Sequence, residues 1–106
     1  MGIQGGNLED FRGKVIKVFN HIRCVGIEVK KGTLNKGDIL MFVKDGSLSL
    51  RNPKVYKYTQ RIDSIEIDHQ PVDKVEKRQR CGVKINIPIP GTLPPNGAVV
   101  TRVPAG

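Results

Sequence analysis

Residues 61–87, RIDSIEIDHQPVDKVEKRQRCGVKINI, decide the fold. Ile62, Ile65 and Ile67 stand among Asp63, Ser64, Glu66 and Asp68, the pattern of a strand with one face in a core and one in water. Ile62 breaks the parity of Ile65 and Ile67, which points to a bulge or twist near Ser64. Pro71 has no N–H to give a ladder, so the strand is expected to stop at His69-Gln70-Pro71. Val72 and Val75, three apart among Asp73, Lys74, Glu76 and Lys77, suit one helical turn or a tight loop. Cys81, Val83, Ile85 and Ile87 then alternate with Gly82, Lys84 and Asn86, a second half-buried strand with its apolar side on odd positions.

Working outward, Gly13–Phe19 reads as a strand, with Val15 and Phe19 on one side and Ile16 and Val18 on the other. Phe11 is the first candidate anchor. Val25, Ile27 and Val29 alternate strictly with Gly26 and Glu28. Gly32 and Gly37 suit positive φ and predict two tight turns around Leu34. Ile39–Val43, a continuous apolar run, reads as a central strand. Asp45-Gly46 is a turn signal, residues 47–53 read as a loop, and Val55–Tyr58 as a short strand. After Ile87, Pro88, Pro90, Pro94 and Pro95 with Gly91 and Gly97 break the pattern.

These signals predict a flexible lead over residues 1–12, one domain over 13–91 and an extended or disordered tail over 92–106. In that tail Val99, Val100 and Val103 add one edge strand at most. Short strand-like segments, turn signals and no long helical pattern predict an all-β chain, a small antiparallel barrel or sandwich. They argue against a parallel α/β sheet.

With 106 residues the chain suits one modest core. No apolar run approaches the ~20 residues that span a bilayer. The first six residues have no apolar core of a secretory signal, so a cytoplasmic location is expected. The net charge of +8 favours phosphate, acidic peptide or anionic membrane partners, yet lies within the range of ordinary soluble domains. Cys24 and Cys81 are read as buried reduced thiols, with a disulfide as the alternative. Two cysteines and two distant histidines have no metal-ligand spacing, and neither metal nor cofactor is expected. No phosphate loop, GxSxG or HExxH is present. His69 is read as a loop residue, and Asp63, Glu66 and Asp68 as the solvated side of a strand.

Cations cluster in two places. Lys74, Lys77, Arg78 and Arg80 fall in the connection between the two strands of the opening stretch. Arg51, Lys54, Lys57 and Arg61 precede it. Guanidinium forks take phosphate or carboxylate in bidentate fashion, so these eight residues are the candidate site for RNA or an acidic partner. Interleaved Asp73 and Glu76 leave a solvated mixed surface as the alternative.

The order of motifs resembles the second-domain β-barrel of the translational GTPases. That family has a G-x-L-x-x-G-D turn, here Gly32, Leu34, Gly37 and Asp38, and a later S-I strand and loop ending in G-V-x-I, here Ser64, Ile65, Val72, Gly82, Val83 and Ile85. Within it the likeness is nearest to the C-terminal barrel of the initiation factor 5B family. The residues that carry it are Val18-Phe19-Asn20, Val25-Gly26-Ile27, residues 64–69 (SIEIDH), Val72-Asp73, Val83-Lys84-Ile85 and Pro88-Ile89-Pro90-Gly91. It covers roughly Lys14 to Gly91. The family has Gly where this chain has Arg78, and residues 44–60 are longer than the corresponding loop. The helices that follow the barrel in factor 5B have no counterpart in residues 92–106.

The resemblance implies a closed antiparallel barrel of the translation-factor type. It implies a non-catalytic, monomeric module that docks the acceptor end of initiator tRNA, initiation factor 1A, or both, on the ribosome within a larger protein. Any GTPase activity would belong to another domain. A standalone elongation-factor-like interaction barrel is the alternative. If Arg78 occupies a turn built for Gly, it takes a positive φ.

Overall fold

The protein is described by a computed structural model covering residues 11–46, 54–87 and 91–104. Its strands are β1 (Arg12–Phe19), β2 (Cys24–Lys31), β3 (Leu34–Asn35), β4 (Ile39–Gly46), β5 (Lys54–Arg61), β6 (Ile65–Ile67), β7 (Gln70–Pro71), β8 (Lys74–Val75), β9 (Arg80–Lys84) and β10 (Val99–Val103). The main sheet has the order β5-β4-β10-β1-β2-β9-β6-β7, and β3 pairs with β8 in a small second sheet. All pairings are antiparallel. No helix occurs among the described residues, and so none long and apolar enough to cross a membrane.

One face of every long strand feeds a common core. Val25, Ile27 and Val29 of β2, Leu40 and Phe42 of β4, Val83 of β9 and Ile85 beyond it are fully buried or nearly so. Leu34, between Gly32 (φ 74°) and Gly37 (φ 96°), is also fully buried, as the two expected turns require. Ile67 is only half-buried. In β1 the register jumps from Val15↔Ile27 to Lys17↔Gly26, so Ile16 is an extra, bulged residue. The bulge flips parity: Val15 is inside and Val18 packs on the core, while Phe19, expected beside Val15, is 38% exposed.

Several expectations are corrected. Asp45-Gly46 does not turn the chain; both residues pair with β5, and the β4–β5 hairpin runs eight residues on each side. Val72–Val75 forms no helical turn, because β8 pairs with Leu34 and Asn35. Pro71 does not end the strand pattern. Asp68 (φ 52°) and His69 (φ 66°) make a two-residue turn of the I′ kind, and Pro71 then pairs with Glu66 on the sheet's edge strand, where a missing N–H costs no ladder bond.

Both termini of the expected domain also move. Phe11, in the expected lead, is buried, and Arg12 already pairs with Lys31 and Thr101. The expected tail brings Leu93, Ala98 and Val100 into the core. β10 is no edge strand: it lies between β1 and β4 and is paired on both sides. Arg102 fixes it there, with Nη1 donating to Thr33 O and Asp38 Oδ2, each at 2.8 Å.

Ile62–Ser64 join β5, at one end of the sheet order, to β6, near the other. That short link brings the end of β5 close to the start of β6, so the sheet curls. The turn is held by Ile62 N–H to Asp38 O and Gly37 N–H to Ile62 O, both 2.8 Å. The backbone ladder among the described residues still ends at β5 and β7, so the architecture stands as an all-β, curled antiparallel sheet.

Candidate nucleic-acid interface

The outward face of β1-β2-β9-β6 is a lattice of cross-strand neighbours. Its middle row is Lys17, Gly26, Gly82 and Glu66; the rows beside it are Lys14, Glu28 and Arg80, and Phe19, Cys24 and Lys84. The two facing glycines leave a trough. A groove of about 450 Å³ runs over them, walled by Ile16, Phe19 and Ile22 on one side and Ile67, Asp68 and His69 on the other, with Lys17, Arg80 and Lys84 around it. Ile22 is 61% exposed, so the wall is apolar and open to solvent.

Packing does not demand glycine on this floor. A Cβ on Gly82 would meet nothing within 4 Å, and one on Gly26 only ordinary contacts of 3.5 Å and beyond. Gly13 is the contrast: a Cβ there would lie 3.0 Å from Glu28 O, Ile27 Cγ2 and Phe11 Cζ. In a strand interior glycine costs roughly 0.5–1 kcal/mol relative to Ala. Gly82 leaves the space above it open.

The cations are spread, not neutralised wholesale. Glu28 bridges Lys30 at 3.0 Å and approaches Arg80 Nε at 3.9 Å. The Lys30 hydrogen bond is the main cause holding the Glu28 carboxyl below its ordinary value; burial opposes it, and the charges of Lys30, Arg80 and Lys14 add to it. Lys17 Nζ lies 5.3 Å from the Phe19 ring centroid, a cation–π contact at the groove wall. Cys24 stands in the wall and Cys81 behind the floor; both are free thiols. Burial raises the pKa of Cys24, with Lys84 opposing and Glu66 assisting, and pushes Cys81 up to about 12. Neither is a poised thiolate nucleophile. Among the described residues no three His, Cys, Asp or Glu groups converge on a metal-sized site.

Of the residues expected to form the site, those whose side chains are described are spread over several elements. Among them Arg80 alone lines the groove. Lys74 lies on β8 beside Asn35. Lys77 and Arg78 occupy a tight turn closed by Gln79 N–H to Glu76 O at 3.0 Å, with Arg78 at φ 76°, the third position of a type II turn. Arg78 N–H donates to Val29 O at 2.7 Å, which pins this turn to β2. Lys57 and Arg61 stand on β5; Arg61 borders a separate polar cleft with Lys36, Asp63 and Asp73. Arg51 and the side chain of Lys54 lie outside the described residues.

The residues that sequence reasoning missed are Lys17, Lys84 and the Gly26–Gly82 pair. The signal for the pair was present: each glycine holds an outward position in an otherwise alternating strand.

No protein-family model and no curated protein matches the chain.

Proposed function

We propose that the chain is a non-catalytic binding module that takes the single-stranded acceptor end of a tRNA into the glycine-floored groove. The carrying observation is the open space over Gly82, which neither packing nor backbone conformation requires. A single strand laid along β9 meets Arg80 and Lys84 through its phosphates. Its terminal base, or an apolar aminoacyl group such as methionyl, meets Phe19, Ile22 and Ile67. Such a site positions its ligand and needs no acid–base pair.

The resemblance to the initiation factor 5B barrels supports the same reading and extends it to initiator tRNA, initiation factor 1A, a ribosomal setting and a cytoplasmic location. A barrel of the translation-factor type is the architecture this reading assigns to the curled sheet. In that architecture the Gln60 side chain joins β5 to the end of β9, with Nε2 donating to Lys84 O at 3.0 Å.

The test is fluorescence anisotropy with a 5′-labelled RNA ending in CCA, free and methionylated, against the wild-type chain and Gly82→Val. A Cβ at Gly82 meets nothing within 4 Å, so Gly82→Val should keep the wild-type thermal melt, which is measured alongside. Tenfold or greater weakening of RNA binding by Gly82→Val supports the reading. Equal affinity for both chains, or no RNA binding by the wild type, overturns it.

A further inference from the structure

A second surface, on the outward face of β10-β4-β5, carries an inference of its own. Leu40, Phe42 and Val100 point into the core, so the residues between them point out. The cross-strand register sets Val99 beside Val43, Thr101 beside Met41, and Val103 beside Ile39. The result is a strip of Ile39, Met41, Val43, Val99 and Val103, half-buried at most places and 41% exposed at Val99. The same register borders the strip with cations on both long sides. Arg12 and Lys14 of β1 flank Thr101 and Val99, while Lys57 and Arg61 of β5 flank Val43 and Ile39.

We propose that this strip docks an acidic amphipathic helix of a partner protein. Three arguments select the occupant. β4 and β10 are hydrogen-bonded on both sides within the sheet, so a partner lying across the face finds no free backbone there and must satisfy its own. A helix does so. The dimensions fit: Ile39 to Val43 spans about 13 Å along the strand, some two and a half helical turns. Lys14 and Lys57 are three strand spacings apart, about 14 Å, against a helix diameter of about 10–12 Å. The charge fits as well, because two cationic borders call for carboxylates on both flanks of the helix's apolar stripe. A second copy of this chain, itself at +8, brings the wrong sign, and a strip of aliphatic side chains without rings has no stacking platform for RNA bases.

The test titrates the isotope-labelled chain with an 18-residue amphipathic helical peptide carrying a leucine stripe flanked by glutamates, and with the same peptide carrying lysines in their place. The expected result is saturable amide shifts confined to residues 12–14, 39–43, 55–61 and 99–103 with the glutamate peptide alone. Affinity should fall at least tenfold for Met41→Gln and for the surface pair Lys57→Glu with Arg61→Glu, both checked for an unchanged melt. Absence of shifts, equal binding of the lysine peptide, shifts centred on residues 80–84, or self-association through the strip would each overturn the proposal. Loss of RNA binding by Gly82→Val leaves this outcome unaffected, since Gly82 belongs neither to the strip nor to its cationic borders, and the two faces meet only at Lys14 of β1.

Discussion

The Gln60 carboxamide on β5 accepts the backbone N–H of Asn86, beyond β9, at 2.8 Å. Its nitrogen donates to Lys84 O and Arg61 O, both at 3.0 Å, and its oxygen also accepts the Tyr58 hydroxyl at 2.8 Å. Both atoms of one buried side chain are thus fully used. The amide ties β5, at one end of the sheet order, to the C-terminal end of β9.

Replacing Gln60 with Ala should destabilise the chain by about 2–4 kcal/mol, since each buried group left unpaired costs about 1–3 kcal/mol and water relieves some of them. Denaturant melts measure this directly. Faster hydrogen exchange at the Asn86 amide should accompany the loss; an unchanged melt would mean that the bridge carries no weight.

Arg78 holds φ 76° at the turn position where glycine is cheapest. The left-handed conformation costs an L-residue roughly 1–2 kcal/mol, and glycine gives back roughly 0.5–1 in lost chain freedom. Arg78→Gly should therefore stabilise the fold by up to about 1.5 kcal/mol. The backbone bond to Val29 O is kept in the variant, so a destabilised Arg78→Gly chain would contradict the strain argument.

Alkaline pH should weaken the fold. Burial pushes the Cys81 thiol from 9.0 to about 12, and burial, helped by Tyr58 and opposed by Arg23, pushes the Tyr56 phenol from 10.0 to about 12. Both pKa values are raised in the folded state, so the unfolded chain gives up these protons first. This stabilisation is whole below pH 9 and is lost as pH rises through 12. Cys81→Ala should make the decline from pH 9 to 12 shallower and leave the parts due to Cys24, Tyr56 and Tyr58. Identical pH profiles for the two chains would remove Cys81 as a cause.

Legibility followed the range of the interactions. The turns around Leu34 were readable because Gly32 and Gly37 act through their own backbone angles. The inward alternation of β2 and β9 was readable because period two survives in any antiparallel partner. β10 was not, since Val99–Val103 earns strand status only by pairing with β1 and β4, far away in the chain. The apolar run Ile39–Val43 read as a central strand, and β4 is paired on both sides; only Leu40 and Phe42 of the run are fully buried, while Ile39, Met41 and Val43 form its half-buried outer face. The expected cluster is divided between elements, because neighbours in sequence, Arg78 and Arg80, fall in a pinned turn and a strand. The groove is made of what two glycines lack, and an absence becomes a shape only when β2 and β9 set it side by side.

That separation makes a prediction about salt. For single-stranded nucleic acid, each phosphate contact contributes roughly 0.7 to the slope of log affinity against log salt. Arg80 and Lys84 border the groove on the strand that floors it; Lys77 and Arg78 sit in the turn beyond its end. Replacing Arg80 and Lys84 together with Ala should lower the slope by about 1.4 and weaken a CCA-ended RNA. The Lys77→Ala, Arg78→Ala pair should change the slope by less than half of that. Anisotropy titrations from low to moderate salt on the two double variants measure both slopes. The reverse ranking would move the contact from the groove to the turn, where the sequence alone had put it. Equal small effects from both pairs would show that neither surface meets phosphate.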